Sequence, residues 1–374
     1  MKKSSWLDNI PEGRLISLDV YRGLVMLLLI AEVTGIYDLI VSPKLNGAAL
    51  YAIGLQFHHH PWHGLRLWDL GQGLFMFISG VAMTFSYNHR WSHGASQKKC
   101  LWHAVGRALI LFFIGWALYI IYPPEGATSW SFLLDILPML AVGSLVAFLV
   151  LRWPARWQLA FSGGLLIITE LLYRLWPVSG FDQPFVQGHN FGAYLDLKLW
   201  GGISPGGWVT FNIIPAAAYI IWGVIAGNIL RSQMPSARKL RVFIMAGLAG
   251  IIAGLALDPL TPVIKKISTS SFMLISGGFC FLFLALSYFI VDLSGKRGRW
   301  ALIPAAIGMN PLFIFIFARS GGADWFMDIV QPFSWAILGW TGSGVAKAGT
   351  ALGCLALMCG LCLVLFNNKI FLKI

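Results

Sequence analysis

WVTFNIIPAAAYIIWGVIAGNIL, residues 208–230, contains no Asp, Glu, Lys or Arg. An α-helix needs about 20 predominantly apolar residues to cross the hydrocarbon core of a bilayer, so this run has the length and character of one transmembrane helix. The sequence therefore predicts an all-α polytopic membrane helix bundle of about 10 transmembrane helices. The other runs of this kind lie near residues 16–40, 67–88, 104–122, 130–151, 157–176, 242–257, 272–291, 300–318 and 344–366, with an apolar half-helix at 326–340.

The composition of the whole chain agrees with this class. Hydrophobic residues make up 57% of the 374 residues and charged residues 11%, and the mean hydropathy is +0.73. A soluble fold of this size has no core large enough to hide so much apolar surface. The chain is therefore predicted to be integral to a lipid bilayer.

The net charge of +12 has two readings. A nucleic-acid-binding protein would gather its basic residues in a stripe, whereas here they fall in short clusters between the apolar runs, as in cytoplasmic loops. We therefore expect no nucleic-acid partner. The excess of Lys and Arg on one side predicts that both termini are cytoplasmic.

No long linker or low-complexity tract divides the chain, so residues 1–374 are predicted to form a single integral membrane domain. The first apolar run is interrupted by charged residues and lacks a small-residue cleavage site, which indicates a retained helix rather than a signal peptide. The five cysteines show no disulfide framework, and the C-x-x-C of Cys359 and Cys362 lies inside the last apolar run, where packing is the expected role.

A cluster of polar residues stands between the first two predicted helices. Residues 56–80 read QFHHHPWHGLRLWDLGQGLFMFISG, with His58, His59, His60 and His63 on the predicted extracytoplasmic side. Ionisable side chains at the edge of a membrane span mark a functional site by default. Imidazoles also bind zinc, but three adjacent residues cannot all face one ion and no further ligands stand at suitable spacing, so no metal is expected.

Several motifs in order along the chain carry a family resemblance. They are R-L-x-S-L-D-V-Y-R-G at Arg14 to Gly23, H-x-x-W-x-G-L-x-x-x-D-L at His59 to Leu70, N-F-G-A-Y-L-D at Asn190 to Asp196, D-P-L-T-P-V-I-K-K-I-S-T-S-S-F at Asp258 to Phe272, and G-M-N-P-L at Gly308 to Leu312. With them the chain resembles the transmembrane acyltransferases typified by heparan-α-glucosaminide N-acetyltransferase and its bacterial relatives. The block that begins at His59 is the most specific of these motifs.

The resemblance implies an acetyl-CoA-dependent acyltransferase. Such an enzyme moves an acetyl group from cytoplasmic acetyl-CoA, as co-substrate, to an amino sugar such as glucosamine or another glycan acceptor on the extracytoplasmic side. It also implies that the catalytic histidine is His59, as general base or as acyl carrier. It suggests a homodimer and, through the bacterial relatives, a place in a bacterial cytoplasmic (inner) membrane. The family's arginine-containing motif is replaced here by D-I-L-P-M-L-A-V-G at Asp135 to Gly143, and its D-P-E-G before the sixth helix is absent. The acceptor is therefore less firmly predicted than the reaction class.

Imidazole chemistry supports this role independently, since a side chain with a pKa near ~6.5 can accept a proton or attack a thioester at neutral pH. A carboxylate beside the ring would orient it. We predict Glu32, near the outer end of the first helix, as that catalytic partner, against the alternative that it faces lipid headgroups. Asp69 lies at the start of the second helix, where a carboxylate interacts favourably with the helix dipole. It is also a candidate for substrate binding.

The remaining candidates each have a structural alternative. Arg22 is predicted to bind the CoA phosphates, or else to pair with Asp19 three residues away on the same helix. The substrate-binding candidates are polar or aromatic residues in the motifs or the outer loops. They are Trp62, which otherwise packs at the interface; Asn190 and Asp196 in the loop 177–207; Lys265 and Lys266, which otherwise reach headgroups; and Asn310, which needs hydrogen-bond partners if it is buried.

Two other classes of function compete with the enzyme. Ten spans with polar residues and no soluble catalytic domain would also suit a sugar or amino-sugar transporter. No inverted repeat is visible, however, and the strongest motif lies at one face rather than at mid-membrane. A scaffold protein is the third class, and it predicts no role for His59.

Overall fold

A computed structural model describes residues 6–10, 13–41, 49–123 and 127–372, and every regular element in these ranges is a helix. The all-α class predicted from the apolar runs is therefore confirmed. The α-helices are α1 Ile16–Val33, α2 Ile36–Ile40, α3 Ala49–Leu55, α4 Gly71–Ser92, α5 Gln97–Ile121, α6 Ile136–Val150, α7 Ala155–Leu175, α8 Phe191–Trp200, α9 Ile213–Arg231, α10 Ser236–Leu257, α11 Ser270–Ser287, α12 Leu302–Met309, α13 Pro311–Phe317, α14 Ala323–Leu338 and α15 Ser343–Asn367.

The predicted apolar runs fall on these helices, and two of the runs, 16–40 and 300–318, each cover two helices. Not every helix, however, has the length and composition of a span. Within the described ranges six helical segments are long and apolar enough to cross a membrane, and a bent pair would make a seventh. The count of about 10 and the side on which each terminus lies stay predictions. Four lysines that contribute to the charge distribution, Lys2, Lys3, Lys44 and Lys373, lie outside the described residues. The six segments are Leu67–Ser92, Gln97–Ile121, Thr210–Arg231, Ser236–Leu257, Ser270–Leu293 and Ser343–Asn367.

The chain divides into two compact units, which we call unit 1 and unit 2. Unit 1 comprises Met1–His58 and Leu286–Ile374, and unit 2 comprises His59–Ala285. The single functional domain expected from the sequence remains a prediction, and each unit is described by itself.

Unit 2 is built around the contact of α4 with α9. The two backbones touch at glycines, because a Cβ atom on Gly80 would overlap the carbonyl of Ile220, and one on Gly223 would overlap that of Phe77. Small residues let membrane helices approach in this way. The contact therefore sets the relative position of the segments that precede the two helices.

In unit 1, α1 packs against α12, and α14 packs against α15. The helical segments Arg299–Met309 and Pro311–Thr341 meet at a bend of 75°. The proline at the start of the second segment explains the break, since its ring cannot continue the helix and its nitrogen has no hydrogen to donate. The apolar piece predicted at residues 326–340 lies on α14, within the bent pair.

Candidate active site

His59 and Asp69 form a hydrogen-bonded pair in the loop that leads into α4. The Nδ1 atom of His59 lies 2.9 Å from Oδ1 of Asp69. The other carboxylate oxygen of Asp69 accepts hydrogen bonds from the backbone N–H groups of His60 (3.2 Å) and Arg66 (2.9 Å). Asp69 is 1% exposed, and these bonds compensate for the loss of water around its charge. The loop thus folds back on its own motif and fixes the imidazole.

Lys265 contacts both members of the same pair. It occupies the short helical turn Lys265–Ile267, before α11, and its Nζ atom is 3.1 Å from Nδ1 of His59 and 3.9 Å from Oδ1 of Asp69. Nδ1 cannot donate to the carboxylate and accept from the ammonium at once. The shorter contact with the carboxylate assigns the Nδ1 proton to a hydrogen bond with Asp69, while Lys265 and Asp69 are paired by charge.

This assignment leaves Nε2 of His59 with its lone pair. The His59 side chain is 39% exposed, so a substrate can reach the ring. Burial of its surroundings, together with the positive charge of Lys265, lowers the pKa of His59 to about 4 despite the opposing effect of Asp69. The imidazole is therefore neutral at pH 7, which is the state that a general base or a nucleophile requires.

Trp208 is a member of the site that the sequence did not predict. Its ring meets the His59 ring edge-on with 5.1 Å between centroids, and the Lys265 ammonium lies 5.3 Å from the Trp208 centroid. Trp208 directly precedes the turn into α9, in the stretch where the family's D-P-E-G is absent. A tryptophan in place of that motif could have marked Trp208 as a candidate. Its contact with His59, however, joins residues 149 positions apart, and no local sequence pattern predicts such a contact.

Lys266 carries a second positive charge beside Trp208. Its ammonium lies 6.0 Å from the centroid of the Trp208 ring, within the usual range of a cation–π contact. Its backbone carbonyl accepts a hydrogen bond of 2.7 Å from the Asn212 amide, which anchors the turn. Burial lowers the pKa of Lys266. The two lysines predicted as substrate-binding residues are thus gathered with His59, Asp69 and Trp208 in unit 2.

The other predicted residues of unit 2 are engaged in the fold of the segment after α7. The indole N–H of Trp62 donates to the carbonyl of Phe185 at 2.7 Å. Asn190 caps α8 by accepting from the N–H of Ala193 at 3.1 Å. Asp196 accepts from both the backbone and the hydroxyl of Thr210, and burial raises its pKa to about 6. Their contact with substrate stays a prediction.

Three predicted residues lie in unit 1. Arg22 donates to the carbonyl of Gly308 at 3.0 Å and lies 3.5 Å from the Asp19 carboxylate, the ion pair expected as its structural alternative. Asn310 is 1% exposed and has its amide engaged with Ile370 and Leu372. Glu32 is exposed near the end of α1 and lines a small cavity. The role of Glu32 as partner of His59 is untested, whereas the carboxylate bonded to the imidazole is Asp69.

The neighbouring histidines of unit 2 make separate contacts. Nε2 of His63 is 2.9 Å from the Asp258 carboxylate, and the His60 ring packs against Gly64. Within the described ranges no group of three or more His, Cys, Asp or Glu residues has the arrangement of a metal site.

A family model described as heparan-alpha-glucosaminide N-acetyltransferase, catalytic, matches residues 14–255, well over half of the chain. No curated protein matches the chain. The matched residues include His59, Asp69 and Trp208. Lys265, Lys266 and Asn310 lie beyond them, so the lysine side of the site rests on the geometry alone.

Proposed function

The chain belongs to the heparan-alpha-glucosaminide N-acetyltransferase catalytic family, and from this we propose that it transfers an acetyl group from acetyl-CoA to an amino sugar or other glycan acceptor at His59. The observation that carries the proposal is the hydrogen bond between Nδ1 of His59 and Asp69. It assigns the proton to Nδ1 and leaves Nε2 with its lone pair, as the carboxylate partner of a catalytic histidine does.

Two balanced routes use the same Nε2 atom. As general base, Nε2 takes a proton from the acceptor amine while the amine nitrogen attacks the thioester carbon, and the proton then passes to the departing thiolate of CoA. As acyl carrier, Nε2 itself attacks the thioester carbon and the C–S bond breaks. The acceptor nitrogen then attacks the acetyl carbon, the bond to Nε2 breaks, and the amine proton passes to the freed Nε2 and from there to the released CoA thiolate.

The neighbouring side chains suit either route. Each route develops negative charge on the carbonyl oxygen of the acetyl group, and the ammonium groups of Lys265 and Lys266 place positive charge beside Trp208 and His59. The Trp208 ring supplies an aromatic surface adjoining His59, where a sugar ring can pack. An amino sugar as acceptor fits this surface.

The test compares wild type with His59→Gln and His59→Ala, purified in detergent, using acetyl-CoA labelled in the acetyl group and glucosamine as acceptor. We expect transfer by the wild type only. Label that stays on the wild-type protein without acceptor and leaves when glucosamine is added identifies the acyl carrier; transfer without a labelled protein identifies the general base. Undiminished transfer by folded His59→Ala overturns the proposal, and saturable sugar binding without any transfer supports a transporter.

We also infer that the His59 loop faces the extracytoplasmic side of a bacterial inner membrane, with both termini in the cytoplasm, and that the protein acts as a homodimer. The support is the inside-positive charge distribution for the orientation and the family for the dimer. A cysteine at His63, whose side chain is 55% exposed, should react with a membrane-impermeant maleimide in intact cells. Reaction only in inverted vesicles would reverse the orientation.

A further inference from the structure

A cationic cluster lies at the end of α4 remote from His59, within unit 2. Helix α4 starts two residues after Asp69, and its stretch from Gly71 to Tyr87 rises roughly 24 Å at 1.5 Å per residue. Around this far end stand Tyr87, Arg90 and Trp91 of α4, His103 and Arg107 of α5, and Arg152 just after α6. The mechanism at His59 uses none of them.

His103 and Arg90 hold each other in fixed positions. Nη2 of Arg90 lies 2.7 Å from Nε2 of His103, so the guanidinium donates to a ring nitrogen that carries no proton. Nδ1 of His103 then faces the Tyr87 hydroxyl at 3.4 Å. The histidine is neutral in this arrangement. It therefore adds no charge of its own and leaves the positive charge of Arg90 uncompensated.

Arg107 is the most informative residue of the cluster. It stands ten residues into α5, one turn beyond His103, and is half-buried. Within the described residues it makes no hydrogen bond and no ion pair, and it interacts electrostatically only with Tyr87 and His103. A charged group inside a membrane helix is costly unless it is paired, and such groups mark functional sites.

Within the described residues no acidic side chain forms an ion pair with Arg90, Arg107 or Arg152. Between residues 71 and 169 the sequence contains only two acids, Glu125 and Asp135, and both come after the last residue of α5 in the sequence. Glu125 lies outside the described residues. A third guanidinium, that of Arg152, lies 5.5 Å from the centroid of the Trp91 ring. The indole N–H of Trp91 is buried and has no hydrogen-bond partner. Three guanidinium groups and one N–H donor without a partner are therefore grouped here. This is the set of donors that suits an anion with several acceptor oxygens.

We propose that Arg90, Trp91, Arg107 and Arg152 form a binding site for a phosphoester anion. Phosphate matches guanidinium in charge and in fork geometry. If the proposed function holds, on which this assignment of the ligand rests, the phosphates are those of the acyl donor. CoA joins a phosphorylated nucleotide to a long flexible thiol arm, so its phosphates can dock at one end of α4 while its thioester extends toward His59. The other source of the same chemistry is the headgroup of an anionic phospholipid.

The test uses Arg107→Met, with Arg156→Met as the matched control. Arg156 is exposed at the start of α7, where its guanidinium lies 6.0 Å from the Trp157 centroid, outside the cluster. Equilibrium binding of CoA and of 3′-dephospho-CoA is measured without turnover, in nanodiscs with and without phosphatidylglycerol. Because Arg107→Met removes an unpaired charge, the ligand-free variant should melt no lower than wild type, which separates lost binding from misfolding.

We expect Arg107→Met to weaken CoA binding roughly 10- to 100-fold, the usual range for lost charge-assisted hydrogen bonds, with no such loss in Arg156→Met. Unchanged CoA binding combined with loss of a phosphatidylglycerol-dependent rise in melting temperature identifies the lipid as the source. If Arg107→Met keeps both CoA binding and the phosphatidylglycerol-dependent rise in melting temperature, the proposed phosphate site is wrong. The wild type could also bind CoA, and lose that binding in Arg107→Met, yet transfer no acetyl group. That result would contradict the proposed function and would still support the phosphate site.

Discussion

Nδ1 of His59 and Oδ1 of Asp69 lie 2.9 Å apart, joined across ten positions of one loop. This distance gives the motif H-x-x-W-x-G-L-x-x-x-D-L a physical meaning, because its first and its last polar residue meet when the loop turns back on itself. The carboxylate is buried and is held by two backbone N–H groups. It is therefore a rigid acceptor for the imidazole proton.

Asp69→Asn should lower the rate of acetyl transfer by roughly 10²-fold or more, the range for loss of oriented acid–base catalysis. The amide keeps an oxygen that can accept from the backbone of Arg66, so the loop should keep its fold. The measurement is kcat with acetyl-CoA and glucosamine, alongside the melting temperature. A variant that melts normally and keeps its full rate would remove Asp69 from the mechanism.

Lys265→Met should move the acid limb of the pH profile upward. The positive charge of Lys265 helps to hold the pKa of His59 near 4, so its removal raises that pKa toward the ordinary value of ~6.5. Wild type should keep its neutral base down to about pH 5 and lose activity as the pH falls through about 4. The variant should lose activity at higher pH. The profile of kcat/KM against pH checks this, and superimposable acid limbs would contradict it.

Trp208→Ala should reduce kcat/KM for the sugar acceptor by about 3- to 10-fold, which corresponds to the loss of one aromatic contact. Trp208→Phe keeps an aromatic ring beside His59 and should recover part of the loss. Varying the glucosamine concentration at saturating acetyl-CoA gives kcat/KM for the acceptor alone. Equal activity of the Ala and Phe variants would show that the aromatic surface has no part in acceptor binding.

Glu32→Gln distinguishes the partner expected from the sequence from the one seen in the structure. Since the hydrogen bond of the imidazole goes to Asp69, Glu32→Gln should retain most of the activity and the acid limb of wild type. Rates of the two variants, Glu32→Gln and Asp69→Asn, are compared in one preparation. A loss in Glu32→Gln as large as that in Asp69→Asn would restore Glu32 to the catalytic centre.

Asn310→Ala should act on stability rather than on chemistry. The buried amide donates to the carbonyl of Ile370 and accepts from the N–H of Leu372, each at 2.9 Å. Removing it leaves backbone groups without partners, at a cost of about 1–3 kcal/mol. Thermal unfolding in detergent should show a lower midpoint with an unchanged pH profile. A changed KM for either substrate at unchanged stability would support its predicted role in binding.

Apolar runs predicted the helices well because a helix that lies in lipid needs apolar side chains along its whole length. The same pattern was less informative for α1, whose run contains Asp19, Arg22 and Glu32; α1 is not among the six segments with the length and composition of a span. Composition records which segments avoid water. It does not record how many of them cross the bilayer completely.

The site was predictable only where its parts lie in one motif. The motif identifies both His59 and Asp69 as candidates, but their pairing depends on the path of the loop. From the sequence alone, Glu32 is the expected orienting carboxylate. Lys265 reaches His59 across 206 positions. Such contacts depend on which helices are neighbours, and hydrophobic periodicity does not carry this information.

The glycine contact between α4 and α9 links the helix core of unit 2 to the loop that carries His59. Asp69 stands just before α4 and Trp208 just before α9, so the spacing of carboxylate and indole is determined by how deeply Gly80 and Gly223 nest. A single methyl group at Gly80 would meet the backbone carbonyl of Ile220, push the helices apart and misalign the two. In the proposed enzyme, acceptor selectivity can therefore drift through substitutions at this helix contact, outside the His59 loop.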